Sequence, residues 1–259
     1  MTARTLTCRV AEAEDLNPDV FRVTLEGRPE AVAHAAGQYL ELKLDDDTWV
    51  PFSIANAHGG DGIIELHIQH WPERDNSARL RELLQVAERL TVRLPGGDCV
   101  LDPDSTRPLL MIAAGTGFAQ MKALVEAALH EDPEREIDLW WAARERRDLY
   151  LERLPREWAA SHDNVRFHIV TEVPPAEPME GEGVSVHRGR IDQALAMSLE
   201  DVSDCDVYIS GSPGMVYACV DVLASLGLEA SRVFSDVFSY APREPLVPIL
   251  GSLRPGSAS

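Results

Sequence analysis

Through the first hundred residues, apolar and polar side chains alternate. Leu6-Thr-Cys-Arg-Val10, Val20-Phe-Arg-Val-Thr-Leu25 and Gln38-Tyr-Leu-Glu-Leu-Lys-Leu44 repeat with a period of two, as do Ile63–Ile68 and Leu90–Leu94. This is the pattern of half-buried antiparallel strands, with one face inward and one toward water. Turn formers part the runs: Glu26-Gly-Arg-Pro29, Asp45-Asp-Asp47, His58-Gly-Gly-Asp-Gly62 and Pro95-Gly-Gly97. One helix is predicted among them, Ala78–Val86. Short strands with a single helix predict a six-stranded antiparallel barrel over residues 1–103.

The pattern changes after Asp102-Pro-Asp-Ser-Thr-Arg-Pro108, a polar stretch that reads as a domain boundary. Apolar strand runs now alternate with helical segments. The predicted strands are Leu109–Ala114, Ile137–Ala142, Val165–Thr171, Cys205–Ser210 and Val233–Ser235. The predicted helices are Phe118–His130, Leu151–Ala160, Ile191–Met197 and Gly214–Leu226. Val173 to Arg190, with its prolines and glycines, reads as a loop. Alternating βα units predict an α/β domain with a doubly wound parallel sheet over residues 104–240. Residues 241–259, rich in Pro, Gly and Ser, are expected to be a loosely held tail.

Composition narrows the class. The chain has 259 residues, room for two domains, and its 45% hydrophobic and 26% charged content is that of a globular protein. A net charge of −19 argues against nucleic acid and anionic membrane surfaces as partners. It favours solubility first and steering toward a basic protein partner second. Met1 to Val10 holds no apolar run of signal-peptide length, and the longest apolar run, Pro108 to Ala114, is too short to cross a bilayer. A cytoplasmic location is expected. Cys8, Cys99, Cys205 and Cys219 are too irregularly spaced for a zinc or iron–sulfur site, so reduced and mostly buried thiols are expected, and no metal.

Two segments carry the candidate chemistry. Residues 50–56 read Val-Pro-Phe-Ser-Ile-Ala-Asn, and residues 111–117 read Met-Ile-Ala-Ala-Gly-Thr-Gly. In the first, an apolar strand ends on one short hydroxyl, Ser53, which suits the edge of a flat redox ring. In the second, a buried strand breaks into glycines before a helix, the arrangement that receives dinucleotide phosphates. Each has an ordinary alternative: a strand with a surface serine, and a tight turn in any α/β domain. The glycine turn also falls short of a full G-x-G-x-x-G, because Gln120 stands three places after Gly117. A second strand-to-helix turn, Ser210-Gly-Ser-Pro-Gly-Met215, is placed to face the same crevice. Arg144, Arg146 and Arg147 follow a strand and suit an adenosine ribose or a 2′-phosphate, or else a solvated helix entry.

The order of these motifs resembles the ferredoxin–NADP⁺ reductase superfamily over residues 5–240, and within it the NAD(P)H:flavin reductase branch. Gly37-Gln38-Tyr39 and Pro51–Ala55 precede Gly115-Thr-Gly117 and Gly211–Met215. Glu65–Ile68, Ala114–Phe118 and Phe234–Tyr240 are also similar to that branch. The resemblance implies hydride transfer from NADH or NADPH to a flavin, either FAD or FMN or riboflavin, in a cleft between the domains. It implies that Pro51, Phe52, Ser53 and Ile54 line the flavin, with Ser53 near its N(5), and that His67 and Ile68 flank the ribityl chain. It implies that Gly115, Thr116 and Gly117 receive the pyrophosphate of the nicotinamide cofactor, with Arg144 nearby. Ser210 stands where relatives commonly carry a cysteine beside the nicotinamide, and Gly211, Pro213 and Met215 shape that pocket. Tyr240 matches an aromatic that covers the flavin in relatives. Relatives commonly have an arginine before the Pro-Phe-Ser motif as a clamp on the flavin phosphates, where this chain has Val50. Losing a charge-assisted pair of that kind costs roughly 1.5–3 kcal/mol, which favours an exchangeable flavin. Ser77, with Arg74 and Arg79, is the remaining candidate phosphate contact. The partners implied are the two nucleotides and a flavin-dependent monooxygenase or an electron-acceptor protein. The alternative is a tightly flavinated reductase component that serves an iron–sulfur, haem or oxygenase partner.

Overall fold

The computed structural model describes residues 2–71, 73, 75–174 and 181–243. Arg74 and residues 244–259, where the sequence suggested a phosphate contact and most of a tail, lie outside the described residues. The chain runs β1 (Arg4–Asp15), β2 (Val20–Glu26), α1 (Pro29–Val32), β3 (Tyr39–Lys43), β4 (Trp49–Ser53), β5 (Ile63–Gln69), α2 (Asp75–Val86) and β6 (Arg89–Gly96). It continues β7 (Leu109–Ala114), α3 (Phe118–Glu131), β8 (Ile137–Ala143), α4 (Arg153–Ser161), β9 (Val165–Thr171) and β10 (Val184–Arg188). Last come α5 (Ile191–Ser198), β11 (Asp206–Ser210), α6 (Pro213–Ser225), β12 (Val233–Phe234) and α7 (Val237–Tyr240).

The first six strands form an antiparallel sheet in the order β4-β3-β6-β1-β2-β5. An Ile54–Leu66 bridge brings its two edges, β4 and β5, together as a half-barrel. The alternation read from the sequence gives its interior: Val23, Leu25, Leu40, Leu42, Ile64, Leu66 and Val92 are fully buried. Pro51 lies on edge strand β4, where its missing N–H leaves no central ladder bond unmade.

The second sheet is parallel, ordered β10-β9-β8-β7-β11-β12. Its central strand β7, Leu-Leu-Met-Ile-Ala-Ala, is buried on both faces, which explains the unbroken apolar run. Core residues pack on either side: Phe118, Met121, Leu124 and Trp141 on one, Ile191, Leu195, Val216 and Leu223 on the other. From β7 the chain winds outward through β8 and β9, then returns to β11 on the opposite side of β7. The carboxyl ends of β7 and β11 thus flank the topological switch point, where ligands of open α/β sheets sit.

Three expectations change, the first being a second short helix, α1, among the barrel strands where one helix was expected. Helix α2 starts at Asp75 rather than Ala78, so Ser77 lies inside its first turn. The segment from Val173 to Arg190 is not all loop, because Val184–Arg188 forms edge strand β10 beside β9. Its Val-Ser-Val-His-Arg alternates over only five residues, too short a run to stand out among the glycines and prolines. No described helix is long and apolar enough to cross a membrane.

Candidate functional site

A cleft of about 1590 Å³ runs between the half-barrel and the carboxyl edge of the parallel sheet. Val50, Pro51, Phe52 and Ser53 line it from β4, and Ile68 from β5. Gly115, Thr116 and Gly117 line it after β7, and Ser210, Gly211 and Met215 after β11. Two segments about sixty residues apart in sequence, the Pro-Phe-Ser strand and the glycine turn, therefore open onto one space.

The glycine turn is built for close approach. Gly117 carries no Cβ because one there would fall against the main-chain carbonyl of Ser210, and that contact keeps the β7 and β11 turns together. Gly115 has a φ of +54°, a conformation side chains rarely adopt, and a Cβ on it would meet nothing within 4 Å. A bare backbone beside open cleft space is what a pyrophosphate needs. Behind the turn, Trp141 Nε1 donates to the Gly115 carbonyl at 3.0 Å, and its ring stacks on Phe118 at 3.8 Å. The turn is thereby fixed from its buried side, with its other side left to the cleft.

Three of the hydroxyls on the cleft have no internal duties. Ser53, Thr116 and Ser210 make no side-chain hydrogen bond with any described residue, whereas Ser77 Oγ already accepts the Trp71 N–H at 2.8 Å. The charges are mostly spoken for. Arg190 is paired with Asp192 at 3.0 Å and Arg147 with Glu145 at 3.1 Å, all four lining the cleft. Arg144 also lines it, and among the described residues its guanidinium has no carboxylate partner. It is the cation best placed to meet an incoming phosphate. Arg146 instead turns to Glu152 at 3.0 Å, and Arg79 to Asp45 at 2.7 Å.

Three predicted site residues stand off the cleft lining, and a fourth reaches it without its side chain. Ile54 points into the barrel core, fully buried, because the β4–β5 bridge turns it inward. Pro213 occupies the first turn of α6, where its fixed φ suits a helix start, and it does not line the cleft. Tyr240 ends α7 at 64% exposure, also away from the cleft lining. His67 lines the cleft, but its side chain is wholly buried and bonded at both nitrogens, so the residue presents its main chain there.

Sequence reasoning also missed the polar seam behind the cleft. Gln120 donates to the Gly37 carbonyl at 2.6 Å and to Asp236 Oδ2 at 2.8 Å, joining the barrel, α3 and the segment before α7. The residue that spoiled the glycine motif is therefore a tie between the domains. Lys122, two places on, donates to the Ala55 carbonyl at 3.0 Å and pairs with Glu126 at 2.9 Å. Both are buried within an otherwise apolar helix face, and that break in the pattern was the available signal. Among the described residues no cluster of ligating side chains could hold a metal ion. The cysteines are free, with Cys8, Cys99 and Cys219 buried.

Residues 7–100 match the oxidoreductase FAD-binding domain and residues 111–221 the oxidoreductase NAD-binding domain. Reductase component 1 of terephthalate 1,2-dioxygenase from Comamonas sp is 33% identical over 208 residues, covering 80% of this chain and 60% of that protein. The chain thus spans about 60% of the length of the curated dioxygenase reductases it matches. The NAD(P)H-flavin reductase of Vibrio harveyi is 29% identical over 243 residues, covering 91% of this chain and 99% of that protein. Among solved structures, a cytochrome P450 reductase from Amycolatopsis superposes with a TM-score of 0.80 at 28% identity, over 90% of this chain and 69% of that one.

Proposed function

The chain belongs to the ferredoxin–NADP⁺ reductase superfamily of oxidoreductases, whose cofactors are flavin and nicotinamide nucleotides, and from that premise we propose that it is an NAD(P)H-dependent flavin reductase. One observation carries the reading: the Pro51-Phe52-Ser53 strand and the Gly115–Gly117 turn line a single cleft at the switch point of the parallel sheet. We place the division between the flavin-binding and nucleotide-binding domains at residues 103 and 104, in the segment between the last antiparallel strand, β6, and the first parallel one, β7.

Bound together, the two nucleotides supply the hydride donor and its acceptor, so the protein needs no acid or base of its own for that step. Its residues bind and orient. Phe52 gives an apolar wall, and the free Ser53 hydroxyl offers a hydrogen bond at the ring's edge. Gly115 and Thr116, with Arg144, would hold the pyrophosphate through main-chain N–H groups and charge. Ser210, Gly211 and Met215 shape the nicotinamide pocket at the end of β11. The open space beside Gly115 fits such a ligand, since any side chain there would project into it.

Val50 lines the cleft beside the Pro-Phe-Ser motif, and it brings no cation to the flavin phosphates. That supports a flavin that exchanges during turnover. The match over 99% of the Vibrio harveyi flavin reductase supports the same choice. The second reading, a reductase component that hands electrons to a separate oxygenase or haem protein, draws on the 33% identity to the Comamonas dioxygenase reductase. A purified protein that oxidises NAD(P)H only when flavin is added agrees with the first. Flavin retained near one equivalent, with little response to added flavin, would favour the second. Val50→Arg should tighten FAD in equilibrium dialysis by roughly tenfold, by restoring a charge-assisted contact. Unchanged affinity in a folded variant would remove the argument for an exchangeable flavin.

A further inference from the structure

We propose that Tyr150, His67, Glu65 and Lys122 form a hydrogen-bonded strut that fixes the barrel against the α/β domain, as positioning residues for hydride transfer. The proposal rests on the flavin reductase reading above, and none of the four side chains needs to touch either ring.

The strut is continuous. Lys122 Nζ donates to the Ala55 carbonyl at 3.0 Å and stands 3.5 Å from Glu65 Oε2. Glu65 Oε1 lies 2.7 Å from His67 Nε2, and His67 Nδ1 lies 3.0 Å from the Tyr150 hydroxyl. The partners fix the protons. A carboxylate only accepts, so Nε2 carries hydrogen, and the lone pair on Nδ1 accepts from the phenol. Burial pushes the His67 imidazole below its ordinary value, against the pull of Glu65, with Lys122 and Arg22 adding to the burial effect. Burial pushes the Glu65 carboxyl up, but His67 and Lys122 outweigh it and hold it below its ordinary value. The seam thus carries a carboxylate on Glu65 and a neutral imidazole on His67.

What the strut joins gives it a role. Glu65 and His67 lie on β5, next to Ile68, where that strand borders the cleft. Lys122 lies in the second turn of α3, which starts directly after the glycine turn. Tyr150 closes the loop that begins with Arg144, at the carboxyl end of β8. The three cleft walls are therefore tied to one another through directional bonds. An apolar seam of the same volume would be as stable or more so, because burying charge is costly. Apolar contacts, however, tolerate sliding, and these bonds do not. A displacement of about 1 Å between reacting groups can cost up to ~100-fold in rate.

The test compares Tyr150→Phe, Glu65→Gln and Glu65→Leu with the parent protein, and Glu65→Gln keeps an acceptor for His67. Three quantities are read: dissociation constants for flavin and for NAD(P)⁺ separately, the single-turnover rate of flavin reduction, and amide exchange in the ligand-free protein. We expect Tyr150→Phe to bind each nucleotide within about twofold of the parent, yet to reduce flavin at least about tenfold more slowly. Exchange should rise together in Ile63–Gln69 and Phe118–Glu131. Glu65→Leu should behave alike, and Glu65→Gln should recover most of the rate. Should Tyr150→Phe not fold, the Glu65 pair makes the same comparison. An unchanged rate in Tyr150→Phe and Glu65→Leu overturns the proposal. If the parent protein reduces no flavin, the functional reading fails on its own, and exchange decides the strut: a joint rise upholds it and no rise overturns it.

Discussion

Ser53 is one hydroxyl on the cleft wall with no partner of its own among the described residues. Its replacement by Ala should leave folding intact and lower the hydride step or flavin binding by about one hydrogen bond, ~0.5–1.5 kcal/mol. Steady-state kinetics beside a thermal melt measure both, and unchanged kinetics would remove Ser53 from the site. Gly117→Ala should act oppositely. Its new Cβ meets the Ser210 main chain, which cannot swing away as a side chain can. Roughly 1–3 kcal/mol of stability should be lost, read from the urea midpoint, together with activity. A variant as stable as the parent would show that the two turns are less closely joined than described. At this scale the sequence was readable wherever chemistry follows from residue type: a short hydroxyl, a glycine, an arginine. It was silent on orientation. Ile54 sits in a motif but is buried in the barrel core by a bridge between distant strands, and Tyr240, at the end of α7, is not among the residues that line the cleft.

Elements followed period closely. Leu109–Ala114 and Val165–Thr171 were found to the residue, the first as a continuous apolar run of a strand buried on both faces, the second by its Val-Arg-Phe-His-Ile alternation. Strand β10 was missed, since an edge strand of five residues buries too little to leave a pattern. That edge carries a pH dependence. His187 on β10 lies 3.0 Å from His168 on β9, and burial lowers its affinity for protons. Burial does the same to His58 and His67. The unfolded chain protonates these imidazoles near pH 6.5, and the fold does so only at lower pH. In between, the unfolded state holds more protons, so stability rises with pH through that window. Lowering the pH from about 7.5 to about 5.5 should therefore lower the urea midpoint, and His187→Gln should soften the decline. A midpoint that rises on acidification would contradict this. Glu126 and Asp236, whose carboxyls burial pushes up, act with the opposite sign but nearer the ordinary carboxylate range.

At the scale of the whole molecule, function depends on two sheets meeting. Each domain's pattern could be read separately, and the order of their motifs pointed to one cleft. The seam that sets their relative position was only half legible: Gln120 and Lys122 break an apolar helix face, but their partners Glu65, Asp236 and Tyr150 lie far away in sequence and each looks ordinary alone. The central claim is that a nicotinamide and a flavin meet in that cleft and exchange a hydride. Its most direct test is anaerobic stopped-flow mixing of the flavin-loaded protein with NADH or NADPH, using reduced nucleotide carrying deuterium at the transferring C4 position. Rapid bleaching of the flavin absorbance is expected with at least one nucleotide, slowed by deuterium in the parent protein and slowed further in Ser53→Ala. If both nucleotides bind and the flavin stays oxidised, the account is wrong.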